Sequence, residues 1–363
     1  MKKRTWIILA LIVVLMVVGI IVVPTMANFF DTETSTNNVV QSNWYNYSWL
    51  YREPITINNT GSALTNYQMQ LTLNLASLIP SHMLASGNDI RFTASDGQTL
   101  LNYWIESIST PSAAVIWVNI PSIPVGSPAV TIYMYYGNSG AAAASSGSST
   151  FIFFDDFENG VSQWTVTGNG TVGTFTQSTT QVEHGTYSGY FNKTANGTLT
   201  ITSPTFTNTA NPVIVEYYMQ PGQTGATVET QIDNSGTIGP DVAMYSTGNI
   251  RYNNLGTWTN VGGTASYSSG SWYNIQLNNI NWLAGANNDT YAIWVGDPPS
   301  PYTPTSRNTG VRYVTDLNNS INQIVFTATG NGSGNRQKAY IDLVKVRVYA
   351  ATVPTLGSVG AEQ

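Results

Sequence analysis

Acids carry whatever chemistry this chain could do, because cysteine is absent and histidine occurs only twice, at His82 and His184. Retaining glycoside hydrolysis needs two carboxyl groups about 5–5.5 Å apart. Glu216 stands alone on its predicted strand. Glu229 and Asp233 are four apart, on one strand face but too widely spaced along it. A Ser-His-Asp triad would have to use His82 or His184, and neither has a nucleophile motif beside it. With no thiolate to bind zinc or attack a substrate, the sequence points away from an enzyme.

Aromatic residues point elsewhere. Trp258 and Trp282, with Tyr245 and Tyr252, are set among Asn, Gly and Thr. Flat aromatic faces beside amide groups suit sugars, through apolar stacking and directed hydrogen bonds. Trp272 and Trp294 lie in strand-like runs and are expected in the core. Asp89 and Arg91, two apart on a predicted strand, share a face and could pair with each other or with Glu106 as a structural ion pair. Asp342 alternates with Val344 and Val346, which aims it at the core, where a carboxylate needs a partner.

The scaffold for these residues is an exported β chain. At 363 residues there is length for two domains. Only 9% of residues are charged, while 42% are hydrophobic and 12% aromatic, which supplies ample core material. Three of the thirteen basic residues, Lys2, Lys3 and Arg4, open the chain, leaving ten against nineteen acids, a net −9. No basic stripe exists to neutralise phosphates, so nucleic acid is not an expected partner. A neutral polar surface of this kind suits an acidic exterior, where carboxylate ion pairs fail.

After the basic tip, residues 6–23 (Trp6 to Val23) carry no charge and Pro24 follows. Eighteen helical residues span about 27 Å, close to the roughly 30 Å hydrocarbon core. Bases before the segment and Asp31 and Glu33 after it place the N-terminus in the cytoplasm and the rest outside. The expectation is a transmembrane anchor in a lipid bilayer. A cleaved signal peptide with Thr25-Met26-Ala27 at the cut, or a processed pilin-type helix, are the alternatives. Every version exports the bulk of the chain.

Beyond the 1–30 segment and a 31–42 linker, the pattern is short alternating strands. Met69, Leu71, Leu73 and Leu75 fall on one face and Gln68, Gln70, Thr72 and Asn74 on the other. Val213, Val215, Tyr217 and Met219 repeat this against Ile214, Glu216, Tyr218 and Gln220. The predicted fold class is all-β: two antiparallel β-sandwich, jelly-roll-like domains after one N-terminal helix. Residues 43–139 form the first, 140–150 a Gly/Ala/Ser linker, 151–352 the second and 353–363 a tail.

Two resemblances follow from particular runs. Trp49-Leu50-Tyr51-Arg52, Asp89-Ile90-Arg91-Phe92, Asp96-Gly97, Tyr103-Trp104-Ile105-Glu106 and Tyr135-Tyr136-Gly137-Asn138 resemble a domain-of-unknown-function family of prokaryotic surface proteins. That family also occurs beside channel segments of the MotA/TolQ/ExbB type, and no channel-like helices occur here. It implies no catalytic residues. Asp155-Asp156-Phe157-Glu158, Ser271-Trp272-Tyr273-Asn274-Ile275 and Ala339-Tyr340-Ile341-Asp342-Leu343-Val344 resemble concanavalin A-like, laminin-G-type jelly rolls. In such modules acids of the first and last strands often hold structural calcium, which implies Asp155, Asp156 and Asp342 as ligands.

Asn-x-Ser/Thr sequons occur at Asn46, Asn58, Asn169, Asn192, Asn196, Asn288, Asn318 and Asn331. With export, they point to N-glycosylation in an archaeal or eukaryotic host. The expected role is adhesive or glycan-binding display on an archaeal cell or virion, with carbohydrate or other surface proteins as partners. A structural subunit of a surface filament or layer is the alternative, and a secreted glycoside hydrolase ranks last.

Overall fold

A computed structural model describes residues 44–363 apart from 80, 224–226, 263–265, 284–287, 300–302, 318–319 and 331–336. The apolar run 6–23 and the sequons at Asn318 and Asn331 therefore lie outside the described residues. Among the described residues, no helix is long and apolar enough to cross a membrane.

The first half alternates as its sequence predicts. Its strands are β1 Tyr51–Asn59, β2 Leu64–Leu73, β3 Arg91–Thr93, β4 Leu100–Leu101, β5 Tyr103–Ser107, β6 Ala114–Ile123 and β7 Gly126–Tyr136. Tyr67, Met69, Leu71 and Leu73 point inward on β2, while Gln70 and Thr72 are exposed. Full burial of such a side chain contributes about 1.5–3 kcal/mol. Strands β2, β6 and β5 form one sheet, and β1, β7, β3 and β4 belong to another. Ile55, Phe92, Ile116, Val118 and Met134 fill the space between them.

The second half contains β8 Phe153–Asp155, β9 Thr165–Thr167, β10 Gly173–Ser178, β11 Ser188–Lys193, β12 Gly197–Thr202, β13 Val213–Pro221, β14 Val228–Asn234 and β15 Thr237–Tyr245. It continues with β16 Asn249–Asn254, β17 Thr257–Asn260, β18 Tyr273–Asn281, β19 Thr290–Gly296, β20 Thr305–Arg312, β21 Gln323–Gly330 and β22 Lys338–Val348. One sheet runs β10-β11-β22-β13-β18-β19-β20 with β8 pairing β22, and the other runs β17-β16-β15-β14-β21-β12-β9. A second core, with Phe157, Trp164, Tyr217, Leu277, Tyr291 and Phe326, lies between the two.

Both halves belong to one compact unit, Tyr45–Gln363. The outward face of the three-stranded sheet meets that of the β22–β13 sheet through a third cluster, Trp104, Trp117, Phe151 and Leu343. Gln68, expected on a solvated face, is buried there, and its Oε1 accepts from Val348 N at 2.9 Å. The end of the Gly/Ala/Ser stretch is fixed as well. Ser146 N donates to Tyr103 O, Ile105 N donates to Ser145 Oγ, and one helical turn, Gly147–Thr150, follows with Gly147 buried.

The stretch 353–363, expected as a tail, is instead part of the first sandwich. Its strand β23, Thr355–Val359, pairs antiparallel with β1. Glu362 Oε2 then accepts from Tyr136 OH at 2.8 Å and faces His82 Nδ1 at 2.8 Å. The sequence hides this because a short exposed strand at a chain end carries no apolar stripe.

Candidate functional site

The outward face of the β14–β17 region gathers the residues with the most to offer a ligand. Two tight hairpins build it. Ser235-Gly236 joins β14 to β15 and Leu255-Gly256 joins β16 to β17, with positive φ at all four positions. That geometry matches the twist of the flanking strands. The resulting register puts Gln231 opposite Asp241, Glu229 opposite Ala243, Ala243 opposite Arg251 and Asn253 opposite Trp258. Val228, Ile232, Val242 and Met244 point the other way, into the core.

Tyr245 and Trp258 meet on this face with ring centroids 6.1 Å apart. The Arg251 guanidinium lies 4.1 Å from the Tyr245 ring centroid and donates to Asn260 Oδ1 at 2.8 Å. Both rings are partly exposed. Next to them Asn253 donates to Asp241 Oδ2 at 3.1 Å, and Gln231 donates to Glu229 Oε2 at 3.4 Å. Tyr252 and Trp282, expected on the same surface, pack against the core. Tyr252 does so because it neighbours Arg251 and Asn253 on β16 and must face inward.

Sequence reasoning missed Asp241. It is 3% exposed, and Asp233, at 5%, is close enough to influence it. Oδ1 of each is buried with no hydrogen-bond partner. Burial, with smaller pushes from Glu229 and Asp233, raises Asp241 to about 8; burial alone raises Asp233 to about 7, and it raises Glu229 too. Acids whose ionisation burial opposes, with amides beside two rings and one guanidinium, make a face of hydrogen-bonding groups.

The ion pair expected among Asp89, Arg91 and Glu106 does not form. Asp89 precedes β3 instead of lying on it, so alternation does not put it beside Arg91. Its carboxylate accepts from Leu84 N and Gly137 N. Arg91 donates to Asn88 O and Ala142 O and lies 5.0 Å from the Trp49 ring centroid. Glu106 looks across the junction, accepting from Trp117 Nε1 with Lys345 Nζ 4.0 Å away.

Asp342 also turns the other way. Leu343 takes φ 49° and the β13–β22 register slips there, so the alternation changes phase. Asp342 therefore faces the junction opposite Tyr218, not the core, and accepts from Glu183 N, His184 N and Leu343 N. Asp155 accepts from Phe157 N, Gln163 Nε2 and Trp164 Nε1. Carboxylates already holding three N–H donors each do not suit Ca²⁺, which requires six to eight oxygens. Among the described residues, no cluster of His, Asp and Glu is set to hold a metal. Asp155, Asp156 and Asp342 do not fit the calcium site expected of them; Asp155 closes a turn and Asp342 ties down a loop.

Of the histidines, His82 stacks on Tyr51 at 4.2 Å, and His184 Nε2 donates to Glu106 O at 2.8 Å. Trp272 is buried as expected. Trp294 is only partly buried, on the polar face beside Gln276. Sequons Asn46, Asn169, Asn196 and Asn288 are exposed, while Asn58 and Asn192 are partly buried in strands.

Residues 86–167 match the model of a domain of unknown function, DUF2341. The match begins in the first sandwich and runs past β8 into the second, well under half of the chain. No curated protein matches the chain in sequence. Among solved structures, an endo-β-1,4-glucuronan lyase from the fungus Trichoderma reesei aligns at 13% identity and TM-score 0.39, over 56% of this chain and 98% of that one. Lectin II from Ulex europaeus aligns at 7% identity and TM-score 0.35, over 52% and 93%. A sialidase aligns at 10% identity and TM-score 0.38, but the chain spans only 20% of that protein's length. Scores this low carry no argument about activity, so the chemistry rests on the site's own residues.

Proposed function

We propose that this is a glycan-binding protein displayed at a surface, with the outward face of the β14–β17 hairpins taking the glycan. The observation that carries this reading is the convergence of Tyr245, Trp258 and Arg251 with Asn253, Asp241 and Gln231 on one sheet face. The rings offer apolar faces to a sugar, and the amides and uncharged acids offer donors and acceptors for its hydroxyls. Display is supported by the basic tip before the apolar run 6–23 and by the exposed sequons. An archaeal cell or virion surface, with the run 6–23 held in the bilayer, is the setting this reading assigns.

The test is a glycan array probed with the full chain in detergent. Wild type should be retained by a defined subset of neutral glycans, and Trp258→Ala should weaken retention about tenfold, the worth of one aromatic platform. Its melting temperature should move little. Equal retention by Trp258→Ala, or none by wild type, would remove this face as the binding site.

A further inference from the structure

A second feature is independent of that face. Where the two sandwiches join, a cleft of about 420 Å³ opens, within the range of small-ligand sites. Its walls come from β5 (Trp104), residues 145–148, β8 and the loop 156–163. We propose that this cleft binds a single neutral sugar unit, with Phe154 and Trp104 beneath the ring and Asp156, Asn159 and Ser148 at its hydroxyls.

Three observations lead there. The first is what lines the cleft. Apart from Trp104 and Phe154, the walls carry serines, glycines, Asn159, Gln163 and two aspartates. No lysine, arginine or histidine is among them, so a phosphate, sulfate or uronate would meet no counter-charge. No aliphatic side chain is among them either, so a lipid-like ligand would gain little from burial. Polyhydroxylated neutral compounds match this lining in kind, through its short hydroxyl, amide and carboxyl groups, with Asp155 already held by three N–H donors.

The second is that the walls are already fixed before any ligand arrives. Trp104 and Phe154 meet edge to face at 4.8 Å. A Cβ on Gly147 would come within 2.3 Å of the Phe154 ring, so only glycine lets the helical turn close over it. Asp155 is held by its three N–H donors and serves as wall. Asp156 differs: Glu158 N donates to its Oδ1 at 3.3 Å, and among the described residues no other residue bonds the carboxyl, so it can take a sugar hydroxyl. Preorganised walls lower the ordering cost of binding.

The third is where the cleft falls in the chain. Every lining residue lies between 104 and 163, inside the 86–167 segment that matches the family model. That segment straddles both sandwiches, as the cleft does, while the β14–β17 face lies wholly beyond it.

The experiment titrates the full chain with glucose, galactose, mannose, N-acetylglucosamine and their β-linked disaccharides, with glucuronate as the anionic control. Binding is read by calorimetry and by tryptophan fluorescence, since Trp104 stands in the wall. The expected result is saturation by one neutral sugar at millimolar concentration or below, and none by glucuronate. Ser148→Trp, which fills the cleft from an exposed position, and Asp156→Ala should each weaken it at least tenfold. Thr198→Ala, exposed on β12 and outside both sites, should leave it unchanged. The proposal is overturned if no neutral sugar saturates wild type, if glucuronate binds as tightly, or if both cleft variants bind like wild type. Loss in Trp258→Ala alone would also overturn it, while upholding the sheet face. Melting temperatures check that Ser148→Trp folds, and Asp156→Ala gives the same reading if it does not.

Discussion

Asp342 and Asp241 lie on the outward faces of the two sheets of one sandwich, and burial pushes the carboxyl of each up to about 8. Their surroundings differ. Asp342 is wholly buried and accepts three backbone N–H groups. Beside it the junction is laced with charge: Glu216, on β13, has Lys345 Nζ at 3.6 Å and Arg347 Nε at 3.5 Å. Burial alone would raise Glu216, but the two cations outweigh it and hold the carboxyl below its ordinary value. Asp241 has one amide donor and an Oδ1 with none. A raised acid therefore identifies no role by itself; what separates the two sites is whether the hydrogen bonds around the acid are already complete.

The largest effect should come from breaking the junction. Glu216→Ala leaves Lys345, 1% exposed, and Arg347 short of their shared carboxylate, and should cost about 3–5 kcal/mol in denaturant unfolding. Loss below 1 kcal/mol would mean that Glu106 alone compensates Lys345. Asp342→Ala should come next, because it strands backbone donors of Glu183, His184 and Leu343 at about 1–3 kcal/mol for a buried group left unmade. Asp241→Ala removes one amide bond and an acid that resists ionising, so it should cost far less. Equal losses at Asp342 and Asp241 would erase the distinction between the two sites.

Much of this contrast could be read from sequence only up to the first irregularity. Alternation in 68–75 and 213–220 sorted the two faces of each strand correctly, since a period of two survives wherever the strand is regular, but it did not show that the outward face is covered at Gln68. It failed at Asp342 because Leu343 inserts one residue, and at Asp89 because the strand starts two residues later. Asp241 was missed for a similar reason. The Ser235-Gly236 turn does announce a hairpin, but an unbroken ladder would put Pro240 opposite Gln231. One extra residue on β15 brings Asp241 there instead. Trp258 and Tyr245 stood out by their Gly/Asn-rich setting, but nothing in the sequence showed that their rings meet. The cleft at the junction was not, because its two walls meet only through tertiary packing of Trp104 against Phe154.

The dependence on pH bears on both sites at once. An acid whose folded pKa is raised contributes stability that is fully present below its unfolded value, near 3.9, and is lost as pH rises through the folded value. For Asp233 that window closes at about 7, and for Asp241 and Asp342 at about 8. The melting temperature should therefore rise as pH falls from 8 to 5. Glu216 acts in the opposite sense, since its depressed carboxyl loses stability only as pH falls below its ordinary range. The double variant Asp233→Asn/Asp241→Asn should flatten the upper limb by substituting amides that cannot ionise, and should gain stability at pH 8. Asp342→Asn should flatten it too, but lose stability at pH 5, because its one amide oxygen can serve either Glu183 N and His184 N or Leu343 N, and the NH2 group must face the other side. A melting temperature indifferent to pH between 5 and 8 would mean that solvent reaches these carboxyls, and the open face would then carry charge at neutral pH. Persistence of the rise fits a chain built with few ion pairs and several uncharged acids, whose folded state strengthens as its surroundings become acidic.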